Sequence, residues 1–325
     1  MAEVLTERQN ADRVFGRAEG DPQWVPVVGV YNDLIFSSGL HERPSEPAGK
    51  DWAGCDWAFD EKCLGYAPDL TKPSVLEDIT EWREVVPFPD LDAVDWEACA
   101  EKDLADYDRE NKYLCMFMET GPLERVNALM GMEETMVSFY TEPDEMKALL
   151  NAITDYKCEA IRKLGKYYKP DQFFSQDDLG SAKGPLISMD MYREFLAPCH
   201  KRIAEAIHEV GAIYVHHSCG WMDAFAGDLF ELGADSLNPL QPMNDWDGLV
   251  ERYGETGHFD VGVDSTGNPA NTPEDVIAEV HKIIDTFGPT KHLTTMCFPT
   301  NVDAIHLVEV ANEELVKYGH EFYAK

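Results

Sequence analysis

The sequence predicts an α/β protein: a (β/α)8 barrel of the TIM type, with a long insertion after the first strand that covers the barrel mouth. Two observations predict the barrel. β-rich runs alternate with helical patterns through the C-terminal two thirds of the 325 residues, and such alternation implies parallel pairing. The intervals between runs leave room for crossover helices, and chains of roughly 250 to 400 residues are ordinary for one barrel with insertions. A third observation predicts the insertion. The segment from about 32 to 110 is rich in Trp, Pro, Gly and Asp and shows short elements only, as in DWAGCDWAFDEKCLGYAPDL.

Taken in order, the first strand is read at 24–31 and the next at 113–119 and 172–177. Four more follow at 212–219, 235–240, 258–263 and 291–297. An eighth is either irregular or hidden before residue 113. Helical patterns occupy 122–140, 143–168, 189–210, 221–232, 245–253, 273–287 and 301–323. Thr141-Glu-Pro-Asp, Ser188-Met-Asp and Thr272-Pro-Glu-Asp supply capping side chains, first-turn proline or early acids, the usual start signals. An insertion at 32–110 lies over the mouth, where loops build active sites. The chain reads as a single domain.

Composition excludes several classes of partner. A 44% hydrophobic share fits a globular core. Against 61 acidic residues stand 27 basic ones, a net charge of −34, and so anionic a surface repels nucleic acid and acidic membranes. No apolar run approaches the ~18 residues of a membrane helix, and the charged N-terminus lacks a secretory core. A cytoplasmic protein is expected. Oligomeric state is not fixed by the sequence, and a homodimer is one option. The eight cysteines, at 55, 63, 99, 115, 158, 199, 219 and 297, form no CxxC pair and read as reduced thiols.

Chemistry concentrates at the predicted strand ends. His217 and Cys219 are two apart at the end of one strand, so their side chains share a face. Cys297 closes a later strand. In a barrel these ends meet on one rim, and two thiolates with one imidazole suit Zn2+. Three protein ligands leave a fourth position open, the arrangement of a catalytic zinc. His216 points to the opposite face and reads as structural or as support for a ligand. Asp33, Glu119, Asp177, Asp178, Gln241 and Asp264 add polar groups to the same rim. Gln241 or one of the acids is a candidate for the fourth position when substrate is absent. Trp52, Trp57, Phe59 and Tyr66 of the insertion are candidates to line a pocket for an aromatic substrate.

With these residues in view, the chain resembles the uroporphyrinogen decarboxylase superfamily, and within it the zinc-dependent, corrinoid-linked methyltransferase branch. DDLGSAKGPLISMDMYREFLAPCHKRI (177–203), VHHSCGWMDAFAGDLFELGADSLNPLQP (215–242) and VKYGHEFY (316–323) carry the resemblance. It implies a (β/α)8 barrel whose zinc is bound by a His-x-Cys pair and a distant Cys, here His217, Cys219 and Cys297. The true decarboxylases carry an early arginine pair that meets substrate carboxylates, whereas the first-strand region here reads VPVVGVYNDLIFSSGL, without arginine. The resemblance therefore implies methyl transfer rather than decarboxylation.

Two directions are open within that branch. In one, zinc polarises the oxygen of an aryl methyl ether, and the methyl passes to the cobalt(I) of a separate corrinoid protein docked at the mouth. In the other, a zinc-bound thiol of the coenzyme M type takes a methyl from such a protein. The insertion resembles bacterial O-demethylase components, which favours a methoxyarene donor. Asp33, Glu119 and Asp178 are the candidate acids beside the metal, and the sequence does not choose among them.

Overall fold

A computed structural model describes residues 4–44, 48–60, 65–297, 299 and 302–325; Cys63 lies outside them. In chain order the strands are β1 (Asn32–Ile35), β2 (Ala48–Lys50), β3 (Asp56–Asp60), β4 (Gly65–Pro68), β5 (Tyr113–Met118) and β6 (Gln172–Gln176). They continue as β7 (Gly180–Ser181), β8 (Gly184–Pro185), β9 (Ile213–His217), β10 (Ser236–Asn238), β11 (His258–Val263) and β12 (Leu293–Cys297). The helices are α1 (Glu7–Val14), α2 (Trp82–Val85), α3 (Trp96–Asp103), α4 (Pro122–Met130), α5 (Met132–Thr141) and α6 (Pro143–Tyr168). After them come α7 (Met189–Met191), α8 (Ala197–Glu209), α9 (Ala226–Leu232), α10 (Trp246–Tyr253), α11 (Pro273–Phe287) and α12 (Ile305–Tyr323).

Seven parallel strands form one sheet in the order β1-β5-β6-β9-β10-β11-β12. A parallel bridge from Val27 to Thr295 of β12 joins its two edges and closes the barrel. The eighth strand is thus reduced to a bridge, and it does lie before residue 113. The expected strand at 24–31 is corrected accordingly: the chain turns at Val28–Tyr31, and the regular strand starts at Asn32. Gly29 explains the break. Its φ of +85° is open to glycine at no steric cost, and its N–H is taken by Asn32 Oδ1 at 2.9 Å. Residues 32–35 therefore belong to the barrel, and the insertion starts after them.

Helix starts follow their sequence signals closely. Thr272 and Asp275 form a reciprocal cap at the head of α11, and the Ser188 side chain accepts from Met191 N–H at the head of α7. For α6 the structure moves the cap to Glu142, with Pro143 in the first turn. The helical stretch read at 189–210 contains a wide π turn, Tyr192–Leu196, just before Pro198. Proline lacks the N–H that a regular turn needs there, and a π turn absorbs the loss.

Two layers of core result from strand alternation. Tyr31, Cys115, Phe174, Ile213, Val215 and Met296 fill the barrel interior. Tyr214, Leu237, Phe259, Val261 and Leu293 pack outward with the helices. The insertion folds as an antiparallel sheet, β2-β3-β4, with α2 and α3. Arg125 of α4 pins it. Fully buried, its guanidinium pairs with Asp51 and, at 2.8 Å, with Glu42. Lys157 of α6 meets Glu42 at 2.9 Å as well. Such buried charges are tolerable only because each has an opposite partner. Among the described residues, no helix is long and apolar enough to cross a membrane.

Candidate metal centre

The C-terminal ends of the strands surround a cavity of about 680 Å³, lined by residues of the barrel and by Arg43, Gly65 and Tyr66 of the insertion. His217 is the last residue of β9, and Cys219 follows two residues later. Gly220 makes this approach possible. Its φ is +83°, and an added Cβ would lie 2.7 Å from the backbone of Ser181.

The hydrogen bonds of His217 leave one of its ring nitrogens available to a cation. Asn238, its register partner on β10, takes the Nδ1 proton through Oδ1 at 2.6 Å. That leaves the Nε2 lone pair for a ligand, the support a metal-binding imidazole usually has. Burial also lowers the His217 pKa and so favours the neutral ring. Cys219 Sγ stands 3.5 Å from Nε2. Zinc bonds of 2.0–2.1 Å to nitrogen and 2.3 Å to sulfur at a tetrahedral angle imply an N···S edge of about 3.6 Å. The pair therefore has the spacing of two ligands on one ion.

Asp178 completes the group. Its Oδ1 accepts the Cys219 N–H at 2.7 Å, and the ligand atoms of Asp178, His217 and Cys219 lie within 4.8 Å of one another. Desolvation, then the charges of Asp178, Glu124 and Asp264, push the Cys219 thiol well above its ordinary range. A bound cation reverses that preference, since a coordinating thiol loses its proton. Cys297 is not brought into the group. It ends β12 but packs against the outer core, while its neighbour Met296 faces the cavity. Burial pushes the Cys297 thiol up to about 12.

The other expected residues separate according to their partners. Gln241 accepts the Gly220 N–H at 2.7 Å and donates to Asp264 at 2.8 Å, so it braces the turn carrying Cys219. Glu119 lines the cavity in an ion pair with Arg43 at 3.2 Å, and burial raises its carboxyl. Asp33 is corrected. With the strand beginning at Asn32, it sits at the opposite end of the barrel and meets Lys112 at 3.0 Å. Asp177 also leaves the rim: it takes the N–H groups of Leu123 and Glu124 at the head of α4 and bonds His200 at 2.8 Å. His216 faces away and bonds the Tyr214 hydroxyl at 2.7 Å.

Of the four insertion aromatics, Tyr66 alone lines the cavity among the described residues. Trp52 packs on Phe88 and Tyr156, Trp57 donates to Asp51 at 2.8 Å, and Phe59 rests against Tyr66. The cavity's aromatic wall comes instead from residues the sequence reading missed. Ring centroids step from Phe36 to Phe117 (4.9 Å), to Phe174 (5.0 Å) and to His217 (5.2 Å). Phe117 and Phe174 share a signal that was available, since both occupy inward positions near the ends of neighbouring strands. Arg43, Asn238 and Glu124 were missed too. Glu124 is raised to about 8, first by burial and then by the Asp178 charge.

A closed α/β barrel with a His-x-Cys pair and a carboxylate gathered at its C-terminal rim defines the class: a barrel protein with a candidate metal centre. Residues 52–297 match the family model described as Uroporphyrinogen decarboxylase (URO-D), and the chain belongs to that family. One curated relative is a methylated-thiol–coenzyme M methyltransferase from Methanosarcina mazei, 33% identical over 101 residues. That match spans 31% of this chain and 26% of the relative. A solved structure, a methyltransferase from Methanosarcina mazei, shares the fold with a TM-score of 0.68 at 15% identity. It covers 98% of this chain and 100% of its own.

Proposed function

We propose that this protein is a zinc-dependent methyltransferase that moves a methyl group from an aryl methyl ether to the cobalt(I) of a corrinoid partner protein. One observation carries the donor class: the aromatic ladder Phe36–Phe117–Phe174, whose last step is His217. Rings about 5 Å apart, stacked at Phe117–Phe174 and tilted at the other two steps, offer faces on which a further flat ring can be held. The relative named for methyl transfer supports the reaction class.

His217 and Cys219 would hold the ion, by the N···S spacing of 3.5 Å. Cys297, which the family motif nominates, faces the outer core in this conformation. Bound by His217 and Cys219, zinc would supply Lewis-acid polarisation of the ether oxygen, so that a phenolate becomes a tolerable leaving group. The chain's own residues position the donor. The ladder orients its ring, Asn238 fixes the His217 tautomer, and Gln241 holds the Cys219–Gly220 turn against Asp264. Arg43 enters the cavity from the insertion, which the arginine-free first strand did not reveal. Glu119 neutralises it, and Asp264 adds further negative charge to the lining. Such a cavity is a poor host for a porphyrinogen with many carboxylates. A soluble cytoplasmic enzyme that meets its corrinoid partner at the mouth follows from the same reading.

A second reading has a specific observation in its favour, the relative named for a methylated thiol and coenzyme M. One experiment divides the two. The zinc-loaded protein is mixed with a corrinoid protein reduced to cobalt(I), a methoxyarene is added, and the cobalt absorbance is followed. Loss of the cobalt(I) spectrum is expected. A response only when a thiol meets the methylated corrinoid protein would replace the aryl-ether reading, and carbon dioxide release from uroporphyrinogen would overturn both.

A further inference from the structure

We propose that a cavity at the opposite end of the barrel, away from the metal centre, binds a small organic ammonium ion. It measures about 330 Å³, and Phe15, Ile213, Phe230, Asp235, His258 and His292 stand in its wall. Ile213 and His258 open β9 and β11, so the site lies at the strand starts, not at the end where barrel enzymes do their chemistry. Its polar groups are acceptors. Tyr214 N–H and His208 Nε2–H both donate to Asp235 Oδ2, at 2.8 Å each, which leaves Oδ1 to a ligand. His292 donates its Nδ1 proton to the Val14 carbonyl at 3.0 Å, so Nε2 of the neutral ring is a bare lone pair. His258 is 5% exposed; its Nδ1 meets Ser236 Oγ at 2.7 Å, and its Nε2 has no partner among the described residues. Burial, then the charge of His292, hold the His258 pKa well below its ordinary value and keep that ring neutral. A buried nitrogen without a partner is costly and calls for a donor. The apolar walls of Phe15, Ile213 and Phe230 suit a hydrocarbon body. Among the described residues, no lysine or arginine lines the cavity. Two helices, α1 and α9, also end beside it at Val14 and Leu232, with the partly negative ends of their backbones. A carboxylate, two acceptor nitrogens and no cation select a positive guest that can donate, and they reject an anion.

Titration calorimetry on the full-length protein at about pH 8, where an alkylammonium keeps its proton, tests this. Three probes share one ring and differ in the head group: cyclohexylammonium, cyclohexanol and cyclohexanecarboxylate. The ammonium is expected to bind at about one equivalent and roughly tenfold or more tightly than the alcohol, with no binding of the carboxylate. Asp235→Asn keeps an oxygen for the Tyr214 N–H but removes the charge, and should weaken the ammonium about tenfold while leaving the alcohol unchanged. Thr256→Trp fills the cavity from an exposed position on its wall, so it should abolish binding without disturbing the core. Glu119→Gln, in the cavity at the metal end, should leave the ammonium affinity as it is. An alcohol that binds as well as the ammonium, a preference for the carboxylate, or no binding at all would overturn the proposal. So would binding that survives Thr256→Trp and is lost in Glu119→Gln. Should Asp235→Asn not fold, Thr256→Trp decides.

Discussion

Asp260 gives a test of the structure that needs no ligand. It lies on β11 facing the barrel interior, is 2% exposed, and has one carboxylate oxygen with no hydrogen-bond partner. Burial raises its carboxyl from 3.8 to about 7, against the opposing pull of hydrogen bonds to Asn238 and Thr294. The sign follows from linkage. Well below pH 3.8 both folded and unfolded chains hold the proton, and the group contributes nothing. Between about 4 and 7 the unfolded chain releases its proton while the folded chain keeps it, so stability falls as pH rises. Above about 7 the deficit is constant. A difference of about 3 pKa units at 1.36 kcal/mol each amounts to about 4 kcal/mol. Asp260→Asn keeps the shape and removes the charge, so it should stabilise the protein by up to about 4 kcal/mol at pH 8 and by only about 0.6 kcal/mol at pH 4. Urea denaturation of both proteins at pH 4, 6 and 8 measures this, because the midpoint shifts with stability at constant slope. A stability difference that does not change between pH 4 and pH 8 would refute the reasoning.

Three further outcomes are expected. Arg125→Met strands Asp51 in the interior and weakens the hold on Glu42, so it should cost about 3–5 kcal/mol and expose the insertion to limited proteolysis; unaltered cleavage would show that the insertion is held by other means. Phe117→Ala removes the middle rung of the aromatic ladder and about 1 kcal/mol of stacking. It should raise KM for a methoxyarene roughly fivefold at similar kcat, and an unchanged KM would remove the ladder from substrate binding. Gly220→Ala places a Cβ 2.7 Å from the Ser181 backbone at a φ of +83°. It should lower thermal stability and metal content together, and full metal occupancy in a stable variant would contradict the role given to this turn.

Much of the barrel was legible because its signals are local. Short β-rich runs marked β5, β6, β9, β11 and β12, and cap chemistry marked the heads of α7 and α11. The first strand was misplaced because Gly29 splits an unbroken apolar run into a bridge and a turn, and apolarity alone cannot show a backbone reversal. Cys297 illustrates a second limit. The sequence placed it correctly at a strand end, but in LTTMC either of the last two residues can be the inward one, and the structure turns Met296 toward the cavity. Arg43 and Asn238 needed the docking of the insertion and the β9–β10 register, both long-range facts.

The acids show how the site selects among residues that look alike in the sequence. Asp33, Glu119, Asp177 and Asp178 all end or border a predicted strand; the sequence offers Asp33, Glu119 and Asp178 equally as acids beside a metal, and Asp177 as a further polar group on the rim. What separates them is which group reaches each first. Lys112 takes Asp33 at the far end of the barrel, Arg43 takes Glu119, and the head of α4 with His200 takes Asp177. A carboxylate paired with a buried cation or capping a helix gives up those bonds if it turns to another ion, and charge-assisted bonds of this kind are the strong ones. Asp178 alone of the four is engaged by the turn that carries Cys219, through a single backbone N–H. That bond aims the carboxylate at the thiol and the imidazole without neutralising it. The chemistry of the rim is therefore set less by which residues are acidic than by which acid the Cys219 turn holds.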